Sequence, residues 1–188
     1  MTTTHRPLTA EPCWQTSRRL RRHSVPNSLR DWLLEPGSLT RRLRARCGGG
    51  FHVQVLQQGL ARPLRSEAQA LGRPLHELAL IRQVHLCCDE ATWVFARTVI
   101  PLRSLQGGLK RIDRLGSRPL GELLFSDPQM CRGEIEVAQL RPGHRLHPLS
   151  AANDSTPLWG RRSVFTLYTQ PLLVSEFFLP QLWHGEEQ

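Results

Sequence analysis

The chain has 188 residues, of which 39% are hydrophobic, and this composition predicts one globular domain with a sizeable core. No apolar run is long enough to cross a bilayer, which argues against stable membrane insertion. The net charge of +9 comes from an arginine bias, with Lys110 as the single lysine, and such a dispersed excess only weakly indicates nucleic-acid binding.

The cysteines and histidines predict no metal site. Five cysteines are an odd number without a CxxC pair, which favours a reduced, cytoplasmic protein. Adjacent Cys87 and Cys88 would point to opposite faces of a strand and would not readily pair with each other. His144 and His147 form an HxxH pair in a Pro/Gly-rich stretch, which is more typical of a solvated loop than of a metal centre.

The first part of the chain is basic. Residues 1–27 combine prolines, Ser/Thr residues and arginines around Leu20, and they predict a poorly ordered N-terminal arm. The arm lacks the apolar region of a secretory signal and resembles a transit peptide only weakly. One domain is then predicted over residues 28–182, followed by a tail at 183–188.

Two helices are predicted at the start of this domain. Ser28 begins a capping-box pattern for a helix that ends before Pro36, and Ser38 is a good N-cap for a second helix. The glycines at 48–50 would end the second helix, and the alternating residues 51–56 predict a strand.

A β-hairpin is predicted over residues 81–101, where two β-prone runs flank a short polar break. A turn centred on Glu90 and Ala91 would place Arg82 and Arg97 on the same apolar face. Because burial of an unpaired charge is costly, each arginine would need a carboxylate or an anionic ligand.

The rest of the chain continues this mixture of short helices and strands. Helical segments are predicted at 109–115 and 119–125, strands at 132–138, 163–168 and 172–180, and a surface excursion at 141–157. Hairpin-like connections between the strands predict an α+β domain with an antiparallel sheet. In the last strand, Glu176 shares an apolar face with Leu172, Val174 and Phe178.

The charged residues on apolar faces allow two interpretations. Glu176 could form a buried salt bridge with Arg82 or Arg97, or the three could line a dry pocket for a small anion. Two arginines and one acid leave a positive pocket, which favours a ligand with more than one carboxylate. Leu39 and Leu120 follow helix starts, where free N–H groups can bind anions, although every helix has such a start.

Six collinear segments between residues 29 and 180 resemble the bacterial chorismate pyruvate-lyase family. The most specific of these are Trp-Gly-Arg-Arg-Ser at 159–163 and Pro-Leu-Leu…Glu…Phe-Leu-Pro at 171–180. The other segments are 31–34, 37–40, 96–101 and 119–125. The resemblance implies a single antiparallel sheet with helices on one side, and helical flaps at residues 28–47 and 109–125 that close over a buried ligand.

The resemblance also implies an activity and a site. Members convert chorismate to 4-hydroxybenzoate and pyruvate without a cofactor, as the first step of ubiquinone biosynthesis. Arg82 would hold the ring carboxylate with help from the backbone amides of Leu39 and Leu120, and Glu176 would bind the 4-hydroxyl. Arg82 and Glu176 are therefore the predicted catalytic residues. Arg97 is a candidate for the second carboxylate, with a structural pairing to Glu176 as the alternative.

Two other functional classes remain for comparison. The same fold serves as the effector-sensing domain of some bacterial transcription regulators, but the 27 arm residues cannot form their winged-helix domain. A basic RNA-binding protein would need exposed aromatic residues between the arginines, and no such platform is evident. The preferred prediction is a monomeric enzyme whose partners are chorismate and 4-hydroxybenzoate, not nucleic acid, with product inhibition from slow release. The pattern does not exclude the 3-hydroxy isomer as product.

Overall fold

The computed structural model describes residues 11–21, 24–105 and 107–183. Predictions for residues 1–10 and 184–188 therefore lie outside the described residues. Within the described part, eight strands form one antiparallel sheet. The strands are β1 (Gln15–Thr16), β2 (Phe51–Ala61), β3 (Ala79–Cys88), β4 (Ala91–Pro101), β5 (Cys131–Arg132), β6 (Glu136–Leu140), β7 (Leu158–Leu167) and β8 (Gln170–Phe178).

The strand order across the sheet is β1-β6-β7-β8-β4-β3-β2, and β5 pairs with β7. The helices are α1 (Asn27–Leu33), α2 (Leu39–Cys47), α3 (Arg65–Ala70), α4 (Leu120–Phe125) and α5 (Pro180–Trp183). Short 3-10 segments accompany them, among them Ser17–Arg19, Leu102–Leu105, Gly107–Arg114 and Pro148–Ser150. The predicted α+β fold with a single antiparallel sheet is confirmed. No helix in the described ranges is both long and apolar enough to cross a membrane.

The helix starts follow local sequence chemistry. Ser38 caps α2, as predicted, and its side chain accepts a hydrogen bond from the Arg41 backbone N–H. Helix α2 ends before Gly48, which takes the positive φ of 75° that glycine tolerates. Helix α1 begins one residue before Ser28, after Pro26, without the predicted side-chain cap.

Helices α1 and α2 cover one face of the sheet. Leu29, Trp32 and Leu33 of α1 have the i, i+3, i+4 spacing of one helix face, and they are buried in one cluster with Leu43 of α2. This cluster also contains Val84 and Leu86 of β3. The two helices therefore cover the face of β3 that carries its even-numbered residues.

The opposite face is covered as well. Leu71, at the end of α3, packs with Ile81, Val99 and Leu173. Leu146, from the segment between β6 and β7, is buried in a cluster with strand residues that include Phe95 and Phe177. Short elements thus lie on both faces, with the larger helices on the α1–α2 side.

The segment at 141–157, predicted to be a surface excursion with solvated histidines, has exposed residues but is partly buried. His144, Leu146, His147 and Ser150 are all buried. The His147 ring contacts the Thr156 carbonyl at 2.7 Å, and the Ser150 hydroxyl donates to the His147 carbonyl. The segment folds on itself and packs against the sheet, because local hydrogen bonds satisfy its polar groups.

The described part of the N-terminal arm also differs from the prediction. Gln15 and Thr16 pair with β6, and Leu20 and Val25 are buried. The arm therefore adds an edge strand to the sheet, and its buried apolar residues pack into the main core.

The predicted hairpin is confirmed as β3 and β4, but its register differs from the prediction. Asp89 lies in the left-handed region at φ 48°, and the turn brings Cys88 opposite Ala91 rather than Trp93. Trp93 is an extra residue in β4, because the pairing shifts by one residue at this point.

This bulge separates the two arginines of the hairpin. Arg82 pairs with Thr98, and Arg97 pairs with Gln83. A shift of one residue moves every later side chain of a strand to the other face of the sheet. The prediction that Arg82 and Arg97 share a face is therefore wrong.

One pair of cysteines is linked. Cys47, the last residue of α2, forms a disulfide with Cys88 at the end of β3, 41 residues away in sequence. Cys13, Cys87 and Cys131 are free. The prediction of a reduced chain is wrong for the linked pair, because the sequence did not reveal that α2 ends beside the hairpin.

Candidate active site

A pocket lies between the sheet and the flaps formed by α2 and α4. Its floor consists of strand residues: Val53, Arg82, Val84, Leu86, Ala96, Thr98, Arg132, Arg161, Phe165, Val174 and Glu176. Its walls come from the two flaps: Gly37, Leu39, Thr40, Pro119, Leu120, Gly121, Leu124 and Phe125. The lining is mostly apolar, with a few charged groups, as expected of a small-molecule site.

Arg82 reaches this pocket from β3 and is almost completely buried, with 3% of its surface exposed. Its Nη1 donates to Gln58 Oε1 at 2.9 Å, and its Nη2 donates to the Gly116 carbonyl at 2.8 Å. Burial lowers the pKa of Arg82, since water no longer solvates the guanidinium. Among the described residues no carboxylate pairs with it, so an anionic ligand would supply the missing charge.

Glu176 also lines the pocket, and its partner is a residue that the pattern analysis did not select. Arg161, directly opposite on β7, donates from Nε to Glu176 Oε2 at 2.6 Å. Arg161 Nη1 also donates to the carbonyls of Trp32 and Glu35, at the end of α1. The predicted pairing of Glu176 with Arg82 or Arg97 is therefore wrong.

Arg97 lies outside the pocket. On the other face of the sheet it forms a two-bond ion pair with Glu67 of α3, with Nε–Oε1 at 2.7 Å and Nη2–Oε2 at 3.0 Å. Both side chains are buried. This geometry corrects the suggestion that Arg97 binds a second carboxylate, because the bulge at Trp93 turns it away from the site.

Leu39 and Leu120 occupy the first positions of α2 and α4, and both line the pocket. The first backbone N–H groups of each helix have no preceding helical turn whose carbonyls could accept their hydrogen bonds. The two helices lie close together at Gly121, where a Cβ would come within 2.8 Å of Thr40 Oγ1. A side chain at position 121 would force Thr40 to shift, so the glycine allows this close approach of the two helix starts.

Arg132 is a third pocket arginine, also missed from the sequence. It lies on β5, a strand of two residues, which shows no periodicity that could indicate its direction. The sequence does contain a signal for Arg161. Adjacent residues of a strand point to opposite faces of the sheet, so either Arg161 or Arg162 must point toward the pocket side. The pattern alone could not tell which one.

The charged residues of the pocket leave an excess of positive charge. Arg82, Arg132 and Arg161 contribute three guanidinium groups, and Glu176 contributes one carboxylate. The excess corresponds to two positive charges, which suits a ligand that carries two carboxylates.

Comparison with known proteins identifies the family. The protein-family model described as chorismate lyase matches residues 8–188. A protein named probable chorismate pyruvate-lyase from Methylococcus capsulatus is 43% identical over 153 residues, which cover 81% of this chain and 94% of that protein. One of the same name from Aromatoleum aromaticum is 46% identical over 168 residues, which cover 86% and 89%.

Solved structures with a similar fold are much more distant in sequence. The effector domain of PhnF from Mycobacterium smegmatis superposes with a TM-score of 0.55 at 15% identity, covering 77% of this chain and 90% of that one. A GntR-family transcriptional regulator from Bacillus cereus gives a TM-score of 0.54 at 11% identity, covering 71% and 94%. These two similarities concern the fold alone. By its sequence, the chain belongs to the chorismate lyase family, a family of enzymes of the lyase class.

Proposed function

We propose that the protein is a chorismate pyruvate-lyase that releases 4-hydroxybenzoate and pyruvate. The single observation that carries the proposal is the pocket itself, in which Arg82 has no carboxylate partner from the described part of the chain and Glu176 faces the same space. Chorismate has a carboxylate at C1, an enolpyruvyl ether at C3 and a hydroxyl at C4. Its two negative charges match the positive excess of the pocket.

Arg82 binds the ring carboxylate in this proposal. A guanidinium fork holds a carboxylate through two charge-assisted hydrogen bonds, and the dry surroundings strengthen both. The backbone N–H groups of Leu39 and Leu120 assist from the two helix starts. The ring then lies on the apolar floor formed by residues such as Val84 and Ala96.

Glu176 takes the other end of the ring and accepts a hydrogen bond from the 4-hydroxyl. Arg161 occupies its Oε2, so that Oε1 can accept the bond from the substrate. Arg82 and Glu176 lie two strands apart and one two-residue step along the sheet. Strand spacing puts their Cα atoms roughly 12 Å apart, which leaves room for one six-membered ring between the side chains.

The reaction needs little covalent assistance from the protein. The C3–O bond breaks, a proton leaves C4, and the electron pair completes the aromatic ring. The departing enolate takes up a proton on its methylene carbon and becomes pyruvate. Positioning of the diaxial substrate and stabilisation of the departing charge are then the main contributions of the enzyme.

Several finer assignments belong to the same proposal. We assign the reaction to the first step of ubiquinone biosynthesis and the enzyme to the cytoplasm, as a monomer without a cofactor. The pocket lies beneath two flaps, so that release of the aromatic product requires flap opening and is slow. Slow release would appear as product inhibition.

The test is direct. Purified protein is mixed with chorismate, the aromatic acid is followed by ultraviolet absorbance, and pyruvate is measured with a coupled dehydrogenase. Chromatography against 3- and 4-hydroxybenzoate standards identifies the product, and we expect 4-hydroxybenzoate and pyruvate in equal amounts. The surface variant Arg103→Gln serves as a control with unchanged activity. Binding of 4-hydroxybenzoate without any turnover would overturn the proposal in favour of a non-catalytic effector-binding domain.

A further inference from the structure

We propose that Arg132 binds the second carboxylate of the substrate, the one that departs with the three-carbon fragment. The inference rests on the proposed function, which supplies the dicarboxylate. It assigns a separate subsite, beside Arg82 and Glu176, for the part of the molecule that becomes pyruvate.

The side chain of Arg132 is fixed in the pocket by neutral groups. Its Nε donates to Ser163 Oγ at 3.1 Å, and its Nη1 donates to the carbonyls of Glu35 and Pro36 at 3.1 and 3.0 Å. The guanidinium carbon lies 5.3 Å from the centre of the Phe165 ring. These contacts orient the fork without neutralising it.

Arg132, which is half-buried, differs in this respect from three buried arginines near the sheet. Arg97, Arg161 and Arg162 each have a glutamate partner, at 2.7, 2.6 and 2.7 Å. Among the described residues no carboxylate lies within ion-pair distance of Arg132. Partial burial, together with the nearby Arg161 charge, lowers the pKa of Arg132 to about 10, although the carboxylates of Glu176 and Glu35 act in the opposite direction. A partly desolvated cation without an ion-pair partner is costly, and a bound anion would offset that cost.

The sheet register places Arg82 and a hydrogen-bond partner of Arg132 at opposite ends of one row of residues. Arg82 on β3 is followed across the sheet by Thr98 on β4, Val174 on β8 and Ser163 on β7. Ser163 is the residue that holds Arg132. Three strand spacings span roughly 14 Å between the Cα atoms of Arg82 and Ser163. A dianion lying over Thr98 and Val174 could therefore reach one guanidinium with each carboxylate.

The position also suits the chemistry. When the C3–O bond breaks, the bonding electrons go to the enolpyruvate oxygen, close to the carboxylate of the same fragment. A guanidinium already held in place stabilises this developing charge without reorganisation. Arg82 binds the ring carboxylate while Arg132 binds the carboxylate of the leaving group. The C3–O bond that breaks therefore lies between the two guanidinium groups.

The experiment compares ligands with one and two carboxylates. Titration calorimetry measures 4-hydroxybenzoate and 3-(carboxymethoxy)-4-hydroxybenzoate, an aromatic acid that carries the second carboxylate on a stable ether at C3. The wild type is expected to prefer the dicarboxylate. Arg132→Gln should weaken the dicarboxylate by about 10- to 100-fold and 4-hydroxybenzoate by less than about threefold. In contrast, Arg82→Gln should weaken both ligands.

The turnover of chorismate provides the second readout. Arg132→Gln should lower kcat/KM by at least about 10-fold, and Arg132→Lys should recover part of this loss because it retains the charge. Equal weakening of both ligands by Arg132→Gln, or an unchanged preference for the dicarboxylate, would overturn the subsite. If the Gln variant does not fold, the wild type still decides, since a dicarboxylate that binds no tighter than 4-hydroxybenzoate leaves no role for Arg132. A wild type without turnover that still prefers the dicarboxylate would overturn only the proposed reaction.

Discussion

Arg161 and Glu176 face each other across β7 and β8, and the Nε of Arg161 donates to Glu176 Oε2 at 2.6 Å. The same guanidinium donates to two carbonyls at the end of α1, at Trp32 and Glu35. The carboxylate that faces the pocket is thereby connected to the segment that leads into the α2 flap. Arg161 acts as a positioning residue for Glu176 in the proposed site.

Arg161→Met is expected to destabilise the fold and impair catalysis. It leaves the Glu176 carboxylate without its cation and two carbonyls without a donor, so the free energy of unfolding should fall by about 3–5 kcal/mol. Urea denaturation measures this loss.

Glu176→Gln keeps a neutral hydrogen-bonding group beside Arg161, and it should lower kcat while the affinity for benzoate, which lacks the 4-hydroxyl, changes less than about threefold. A Glu176→Gln variant with wild-type turnover would remove that residue from the proposed mechanism.

Arg82→Ala is expected to weaken ligand binding severely while the fold persists. The side chain contributes charge-assisted bonds to the ring carboxylate, and their loss should weaken 4-hydroxybenzoate by about 100-fold. Calorimetry measures the affinity, and thermal denaturation shows whether the variant is folded. The exposed Arg103→Ala is the matched control and should bind normally. Near-normal affinity in Arg82→Ala would move the carboxylate site elsewhere.

Arg97→Met should affect stability rather than ligand affinity. It leaves the buried Glu67 without its cation, and we expect a loss of about 3–5 kcal/mol in the free energy of unfolding. Glu67→Gln in the same chain removes the stranded charge and should recover part of that loss. Calorimetry at a temperature where the variant is folded should show unchanged affinity for 4-hydroxybenzoate. A drop in affinity without a drop in stability would return Arg97 to the binding site.

Much of the architecture was accessible from sequence. Alternation identified the main strands, Ser38 marked the start of α2, and the apolar neighbours of Glu176 placed a carboxylate on a buried face. These features depend on local patterns with a physical period or a specific hydrogen bond. The charge on an apolar face was the most informative of them, because it demands a partner.

The errors arose where a single residue changes the geometry. The extra residue Trp93 reverses the facing of the rest of β4, and no local pattern reveals such a bulge. Arg132 lies on a strand too short for periodicity, although it lines the pocket. The Cys47–Cys88 pair depends on where α2 ends relative to the hairpin, a tertiary relationship that sequence spacing does not encode.

The stability of the fold should decrease as the pH falls below neutrality, because of His144. This histidine is buried, and its Nδ1 accepts a hydrogen bond from the Leu146 N–H at 3.2 Å, which requires the neutral ring. Burial lowers its pKa, and Arg145 and Arg97 act in the same direction, while Glu11 and Glu67 oppose them. The unfolded chain therefore binds a proton as the pH falls through about 6.5, whereas the folded chain does so only at lower pH.

The resulting slope is at most about 1.4 kcal/mol per pH unit between the two pKa values. Urea denaturation at pH 7.5, 6.5 and 5.5 measures it. His144→Asn retains a side-chain acceptor but cannot titrate, so it should flatten this part of the pH profile. His52→Asn alters an exposed histidine and should leave the profile unchanged. Equal slopes for the wild type and His144→Asn would mean that another group controls the pH dependence in this range, and that the buried imidazole is protonated at little cost.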